Sequence, residues 1–430
     1  MLSMNIALQK VLTYDAVVVG GGFAGVGAAV SAAKNGAKTL LIECGGDLGG
    51  DITKAIIPNI LDLPGKGGLT HKLYSAMVNG GHTCVRKGTR YDEQGNKIPG
   101  TIFDLEYTKY YLEKFCLESG VDVLLNSMMA GCEISSGRIK QIAVATECGC
   151  IGIDAQIFID ATGNGLLAAM AGCKWEIGEP QSGKPQPASS AMYITNLPQG
   201  TRSTDSSEEK TAAKKMLAKH GIDVSAEGVT LMHSTTDGVW MLTFNNQFDI
   251  TMDDPISLSR ASMDARAECI EVLDKISEIP QFNGVKLLAV SSHIGIREGK
   301  RINGEYRLTL DDITAGQKFD DAICTVNFPV DVHSIRRGDG LHYDMGKKAL
   351  PYHIPYRSLI PIGCDNLLLA GRCISGDFYA HSSYRVAGCA LSIGEAAGFA
   401  AAICVKNGII PHNVNGTDVK NYMISLGYEI

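Results

Sequence analysis

Four short stretches late in the chain place histidine beside arginine. SSHIGIREGKR carries His293, Arg297, Glu298 and Arg301, and VDVHSIRR carries His333, Arg336 and Arg337. YHIPYRSL carries His353, Tyr356 and Arg357, and AHSSYR carries His381, Tyr384 and Arg385. An imidazole or phenol can move a proton. A guanidinium presents a planar donor fork to a carboxylate or enolate oxygen. His381 and Arg385 stand four residues apart and share one face if that stretch is helical. Each stretch also has a plain structural reading. Arg297 and Arg301 can be ion-pair partners of Glu298 and Glu305. His333 can be a surface residue, and His353, Tyr356 and Arg357 can cross between domains. The catalytic candidates are His381 and Arg385, with Arg357 and Arg297 beside them. No metal centre is expected: the thirteen cysteines are scattered and no CxxC occurs.

The partner for such chemistry is indicated near the start, in YDAVVVGGGFAGVGAAVSAAKNGAKTLLIE, residues 14–43. The segment reads strand, glycine turn, helix, strand. Val17 to Val19 is a β-branched run of the kind that forms a buried parallel strand. Gly20, Gly22 and Gly25 follow at the spacing of the dinucleotide fingerprint. The first glycine allows the tight turn, the second lets backbone N–H groups approach a pyrophosphate, and the third lets the helix pack close. The helix is expected from about Phe23 to Asn35, with Gly36 as its stop. Thr39 to Ile42 makes a second strand ending in Glu43, whose carboxylate suits a ribose diol. An acid there argues against a 2′-phosphate, so FAD or NAD is favoured over NADP.

The elements that must position these groups can be followed along the chain. CGGDLGGDIT after Glu43 is a glycine-rich loop carrying Asp47, Gly50, Asp51 and Thr53, whose backbone can lie against a flat or charged ligand. Gly68 to Val78 suggests a short helix, and Gly88 to Gly100 a hairpin or surface loop. Asp104 should cap a helix over Leu105–Glu118. Three strand-like runs, 121–125, 139–146 and 151–159, read as a small antiparallel excursion inserted in the sheet. The last ends in Asp160-Ala161-Thr162-Gly163 before an Ala-rich helix, a second backbone approach point. Past the proline-rich GEPQSGKPQPASSA the alternation weakens. Helices are expected within 201–220 and over 257–276, and strands over 239–244 and 285–291. Asn366 to Arg372 is a buried strand ending in Gly371. The stretch 376–408 follows, its second half a helix with small residues at Gly388, Ala390, Gly394, Ala397 and Gly398. These suit close contact with a strand or flat ligand, and the helix N-terminus offers unpaired N–H groups and positive dipole.

The chain has 430 residues, 45 % hydrophobic and 20 % charged, with net charge −7. That is globular, longer than one ordinary core, and without the basic face that nucleic-acid binding needs. The most apolar stretch, 386–405, contains Glu395 and several glycines and reads as a buried helix, so no membrane span is expected. MLSMNIALQKVLT does not read as a signal peptide. Buried free thiols and a cytoplasmic location are the expectation.

Four blocks together resemble a known family. They are VVVGGGFAGVGAA with LLIE, IDATGNG, GIREGKRINGEYRLTLDDI, and YHIPYRSLIPIGCDNLLLAGRCIS leading to AHSSYRVAGCALSIGEAAG. The chain is similar to FAD-dependent oxidoreductases related to the flavoprotein subunits of fumarate reductase and succinate dehydrogenase. The resemblance implies an α/β fold with a Rossmann-like, glutathione-reductase-type FAD-binding domain. It implies that residues 1–180 and 349–430 form that discontinuous domain, and that 181–348 form an inserted mixed α+β substrate or cap domain. The cofactor-contact candidates are Gly20, Gly22, Gly25, Glu43, Gly50, Ala161, Thr162, Gly163, Gly371, Arg372 and Asp377. Arg372 departs from the pattern, since relatives often carry Asp after that glycine; Ser375 or Asp377 would then meet the ribityl hydroxyls. No second glycine fingerprint marks a nicotinamide domain, so the electron donor or acceptor is not specified.

The function expected is an FAD-dependent oxidoreductase acting on a CH–CH or CH–OH bond of a small polar metabolite, with hydride transfer to or from flavin N5. The alternatives are a non-redox flavoprotein and an electron-transfer subunit of a larger complex. Homo-oligomerisation is left open. No histidine stands in the loop after Glu43, which favours non-covalent flavin.

Overall fold

The structure is a computed structural model that describes residues 7–91, 97–340 and 348–430. Strand β1 (Val11–Val19), helix α1 (Phe23–Lys34) and strand β2 (Thr39–Ile42) form the expected strand–helix–strand unit. Val17 to Val19 and Thr39 to Ile42 are almost wholly buried, as strands covered on both faces must be. The helix stops at Asn35, and Gly36 takes φ +96°, the left-handed turn that the sequence reserved for it.

β3 (Asp122–Leu124), β4 (Met128–Ser135), β5 (Arg138–Thr146), β6 (Gly149–Asp160) and β7 (Leu367–Leu369) complete a seven-stranded sheet, ordered β3-β2-β1-β6-β5-β4 with β7 also on β6. β3, β2, β1, β6 and β7 are parallel; β6, β5 and β4 form an antiparallel meander. Two expectations are corrected. The run at 121–125 belongs to the parallel sheet, and the meander gains its third strand from β4, whose Met, Gly and Cys content gave little strand signal.

The long helix α3 (Ala387–Asn407) packs against α1 through interlocked glycines. A Cβ on Gly394 would lie 2.0 Å from the Ala24 carbonyl oxygen, and one on Gly398 2.1 Å from that of Ala28. One on Gly27 would lie 2.5 Å from the Leu391 carbonyl oxygen. The small-residue face predicted for a strand or flat ligand therefore serves a helix. Among the described residues, α3 is the one helix long and apolar enough to cross a membrane, and 78 % of its most apolar window is buried in the protein.

The other helices fall near their expected places. Gly68–Asn79 is helical, and Leu105–Glu118 starts at Asp104, whose carboxylate accepts the Glu106 and Tyr107 N–H groups. Thr83–Tyr91 and Lys97–Phe103 pair antiparallel; residues 92–96 of the expected hairpin or surface loop at Gly88 to Gly100 lie outside the described residues. Between residues 181 and 348 a separate four-stranded antiparallel sheet is built from Thr230–His233, Val239–Thr243, Met192–Thr195 and Lys286–Val290. The helices Ser207–Lys219 and Pro255–Ser277 supply Leu217, Cys269, Val272 and Leu273 to the apolar cluster beside it. The strands at 192–195 and 230–233 were not foreseen; four residues are too few to show a period.

Candidate active site at the carboxyl edge of the parallel sheet

Four approach points meet where β1, β2, β6 and β7 end. Gly20 has φ +105°, and a Cβ there would lie 2.5 Å from the Ala161 carbonyl oxygen. Gly25 is tighter, its Cβ position 1.7 Å from the Gly20 carbonyl oxygen. The glycine-rich loop lies across the turn: the Gly49 N–H donates to the Gly21 carbonyl at 2.9 Å, and Gly50, at φ +61°, faces the Gly22 Cα. No side chain caps the start of α1 and its first turn holds no acid, so its N–H groups are left for an anionic ligand. The uncapped helix start and the glycine cradle fit the pyrophosphate of a dinucleotide.

The buried Glu43 closes the floor of the site. Oε2 accepts the Gly21 N–H at 2.7 Å, Oε1 accepts the Gly45 N–H at 2.6 Å, and Lys54 pairs with Oε1. Burial pushes the Glu43 carboxyl up, but Lys54 and the two N–H donors outweigh it and hold the group below its ordinary value. Lys54 gave no signal in the sequence beyond its place in a charged loop. Asp47 and Thr53 brace the loop internally through a 2.9 Å hydrogen bond.

At the second approach point Asp160 is fully buried and accepts from the Thr162 N–H, the Thr162 hydroxyl and the Ala168 N–H at 3.0, 2.7 and 2.9 Å. Thr162 thus shapes the Ala161–Gly163 turn. The sequence signal for Asp160 is a strand-end acid before an Ala-rich helix.

Arg372 ties three of these points together. Nη1 donates to Asp51 Oδ2 at 2.7 Å and Nη2 to Asn164 Oδ1 at 2.9 Å, with Gly163, at φ +70°, against the guanidinium. Gly371 has φ +82° and brings the β7 end against Ala24 of α1. His293 stands 3.8 Å from Asp51 and is half exposed; the remaining charges around this histidine include Lys54 and Arg372. Asp377 caps helix α2 (Phe378–Tyr384), accepting the Tyr379, Ala380 and Leu310 N–H groups at 2.9, 2.7 and 2.7 Å. Its carboxylate is engaged by these three backbone donors. The buried Ser375 Oγ lacks a hydrogen-bond partner.

Of the four catalytic candidates, three are brought together. α2 ends at Tyr384, and the Arg385 N–H donates to the His381 carbonyl at 3.2 Å, so the two share one turn as expected. Arg385 Nη2 donates to Gln186 Oε1 at 3.2 Å and to the Asp331 carbonyl at 2.9 Å, and Nη1 reaches the Arg297 carbonyl at 3.5 Å. Arg297 donates to the Pro187 carbonyl. Burial, then the neighbouring Arg385, lowers the Arg297 guanidinium to about 10. His381 is fully buried and neither ring nitrogen has a partner. Burial, followed by Arg301, Arg385 and Arg372, drives its pKa well below the ordinary 6.5, so the imidazole is neutral at pH 7.

Arg357 lies outside this cluster. It forms an ion pair with Asp321 at 2.9 Å and borders an open cavity of about 350 Å³ with Glu305 and His412. Glu298 and Arg301 form the ion pair that the sequence left open, but Arg297 does not join it. His353 is structural: its Nδ1 accepts the Phe319 N–H at 3.3 Å, and burial, with Lys318 and Lys420, pushes its pKa down to about 4.

Comparison with known proteins bears on this arrangement. The FAD dependent oxidoreductase family matches residues 15–423. Digeranylgeranylglycerophospholipid reductase of Thermoplasma volcanium is 26 % identical over 157 residues, 35 % of this chain and 39 % of that protein. The enzyme of the same name from Methanococcus vannielii is 29 % identical over 124 residues, 28 % of this chain and 31 % of its own. The matched stretches therefore span well under half of either relative. Among solved structures, the flavin-dependent brominase Bmp2, as a triple mutant, superposes with a TM-score of 0.50 at 12 % identity, covering 96 % of this chain and 84 % of its own. The myxobacterial chondrochloren halogenase CndH gives 0.50 at 12 % identity over 96 % of this chain and 78 % of its own. These likenesses show a shared fold.

Proposed function

Since the chain belongs to the FAD-dependent oxidoreductase family, we propose that it oxidises or reduces a CH–CH or CH–OH bond of a small polar metabolite in the cytoplasm. Bound FAD supplies hydride exchange at its N5 atom. The proposed organisation is the one expected from the resemblance: residues 1–180 and 349–430 bind the cofactor as a glutathione-reductase-type domain, and 181–348 cover the substrate. Kinship with the fumarate reductase flavoproteins is part of the same reading.

In this reading the Gly20–Gly25 turn and the start of α1 hold the pyrophosphate, and Glu43 takes the ribose hydroxyls. Gly50, the Ala161–Gly163 turn, Gly371 and Arg372 line the flavin end. Arg385 and Arg297 orient the substrate, and His381 donates an imidazole N–H to a substrate oxygen. A neutral imidazole in that role polarises a C–O bond without carrying charge. The observation that carries the proposal is the fully buried, unpartnered His381, one helical turn before Arg385 and acted on by the charges of Arg301, Arg385 and Arg372.

The test uses metabolites screened by anaerobic bleaching of the flavin. His381→Ala and Arg385→Ala proteins should retain FAD while turnover falls by about 10² or more, the scale of a lost positioned donor. Full turnover in both, with FAD bound, would show that the site is assigned to the wrong residues.

A further inference from the structure

The helix Pro255–Ser277 carries two apolar faces, and the fold covers one of them. Ala261, Ala265, Cys269, Val272, Leu273 and Ile276 are buried, the last four in the cluster beside the four-stranded sheet. On the other side Ile256, Met263 and Ile270 are 71, 58 and 38 % exposed. They stand seven residues apart, and a straight helix drifts only about 20° over that interval, so the three form one row. Exposed Ala267 falls on the same row. A single exposed apolar residue needs no explanation. An ordered row does, because a surface helix normally turns polar residues outward.

The row carries charges of both signs along one flank. Arg260 lies toward its start and Glu271 toward its end; both are exposed, and helical spacing puts them on the same side of the row. Among the described residues neither has an ion-pair partner. Two antiparallel copies related by a two-fold axis set each flank against the same flank of the other copy. Met263 of one copy then nests between Ala267 and Ile270 of the other. The same register brings Arg260 beside Glu271, twice over by symmetry, which is how flanking charges fix the orientation of paired helices. Arg266 stands further round on the opposite flank, where it faces its counterpart at a water-exposed rim and is screened by salt.

We propose that Pro255–Ser277 is a self-association face, through which two copies of this chain pair as an antiparallel two-fold dimer with Met263 and Ile270 at its centre and Arg260–Glu271 pairs along one flank. The occupant is a second copy because the helix itself supplies the charge that complements each of its own. The proposal does not depend on the flavin reading.

The purified full chain would be followed by sedimentation equilibrium from about 1 to 100 μM, the range suited to a contact smaller than a standard interface. A monomer–dimer equilibrium is expected. Met263→Glu should weaken it by about tenfold or more, as should Arg260→Glu and Glu271→Arg singly. The double reversal, Arg260→Glu with Glu271→Arg, should restore it. These side chains are exposed, so thermal unfolding at the dilute end should match that of the unaltered protein. A monomer across the whole range overturns the inference. A dimer that Met263→Glu leaves intact also overturns it, since the contact would then lie on another face. A double reversal no tighter than the single ones would show that the helices do not meet in this orientation.

Discussion

A Gly25→Val protein is expected to accumulate mostly as insoluble chain, and any soluble fraction to be free of flavin. A Cβ at Gly25 would lie 1.7 Å from the Gly20 carbonyl oxygen, 2.9 Å from the Gly20 carbonyl carbon and 3.4 Å from the Ala161 Cβ. The first two contacts are with backbone, which cannot rotate away as a side-chain end can. Relief requires α1 to lift from the end of β1. That would open the turn expected to hold the pyrophosphate and separate the glycines packed between α1 and α3. Overpacking usually costs about 1–3 kcal/mol; backbone displaced at a junction of three elements belongs with the changes above about 4 kcal/mol. A domain has roughly 5–15 kcal/mol in all. Thermal unfolding and the ratio of flavin to protein absorbance check this. A soluble variant with full flavin content would mean that the turn is neither tight nor part of the cofactor site.

Glu298→Ala is expected to be nearly as damaging by a different route. Glu298 is 0 % exposed and Arg301 2 %. Glu298 Oε1 accepts the Gly178 N–H at 2.7 Å, Oε2 accepts the Gln186 N–H at 3.0 Å, and Arg301 pairs with Oε1. Removing the carboxylate leaves a buried guanidinium whose remaining bond is to the Gly178 carbonyl at 3.2 Å, and strands two backbone donors. Breaking one partner out of a buried pair costs about 3–5 kcal/mol. The backbone of Gln186 would loosen with it, and Gln186 braces Arg385. Stability in denaturant should fall by that amount, and turnover should fall in the fraction that stays folded. Glu298→Leu with Arg301→Met should recover much of the stability, because no unpaired charge remains, but not the turnover. A loss below about 1 kcal/mol for Glu298→Ala would show that the pair is not the brace described.

The glycine turn and its flanking elements were legible because their requirements are local. A strand end, a glycine turn and an uncapped helix start are written in consecutive residues, so Gly20, Gly22, Gly25 and Glu43 stand where their spacing placed them. The Asp104 cap and the Gly36 stop were legible for the same reason. What the sequence hid is non-local. Arg357 reads as a site residue until Asp321, 36 positions away, is seen to hold it. Arg372 looks like a departure from pattern until Asp51 and Asn164 are found on either side. Asp377 also carries a local capping signal, an acid directly before FYAHSSY, and it caps that helix. The face of α3 was identified as one for close packing, but periodicity cannot say that its neighbour is a second glycine-bearing helix. No property of the residue string shows that both nitrogens of His381 lack partners.

We propose that the carboxyl edge of the parallel sheet holds FAD through the glycine turn and Glu43. It is tested most directly by the visible spectrum and cofactor content of the purified protein, before and after heat denaturation, beside a Glu43→Ala protein. Two flavin bands, with about one FAD per chain freed into the supernatant, and a colourless or weakly coloured Glu43→Ala protein, are the predicted result. Colourless wild-type protein that takes up NAD and no FAD, or a Glu43→Ala protein with full FAD content, would contradict it.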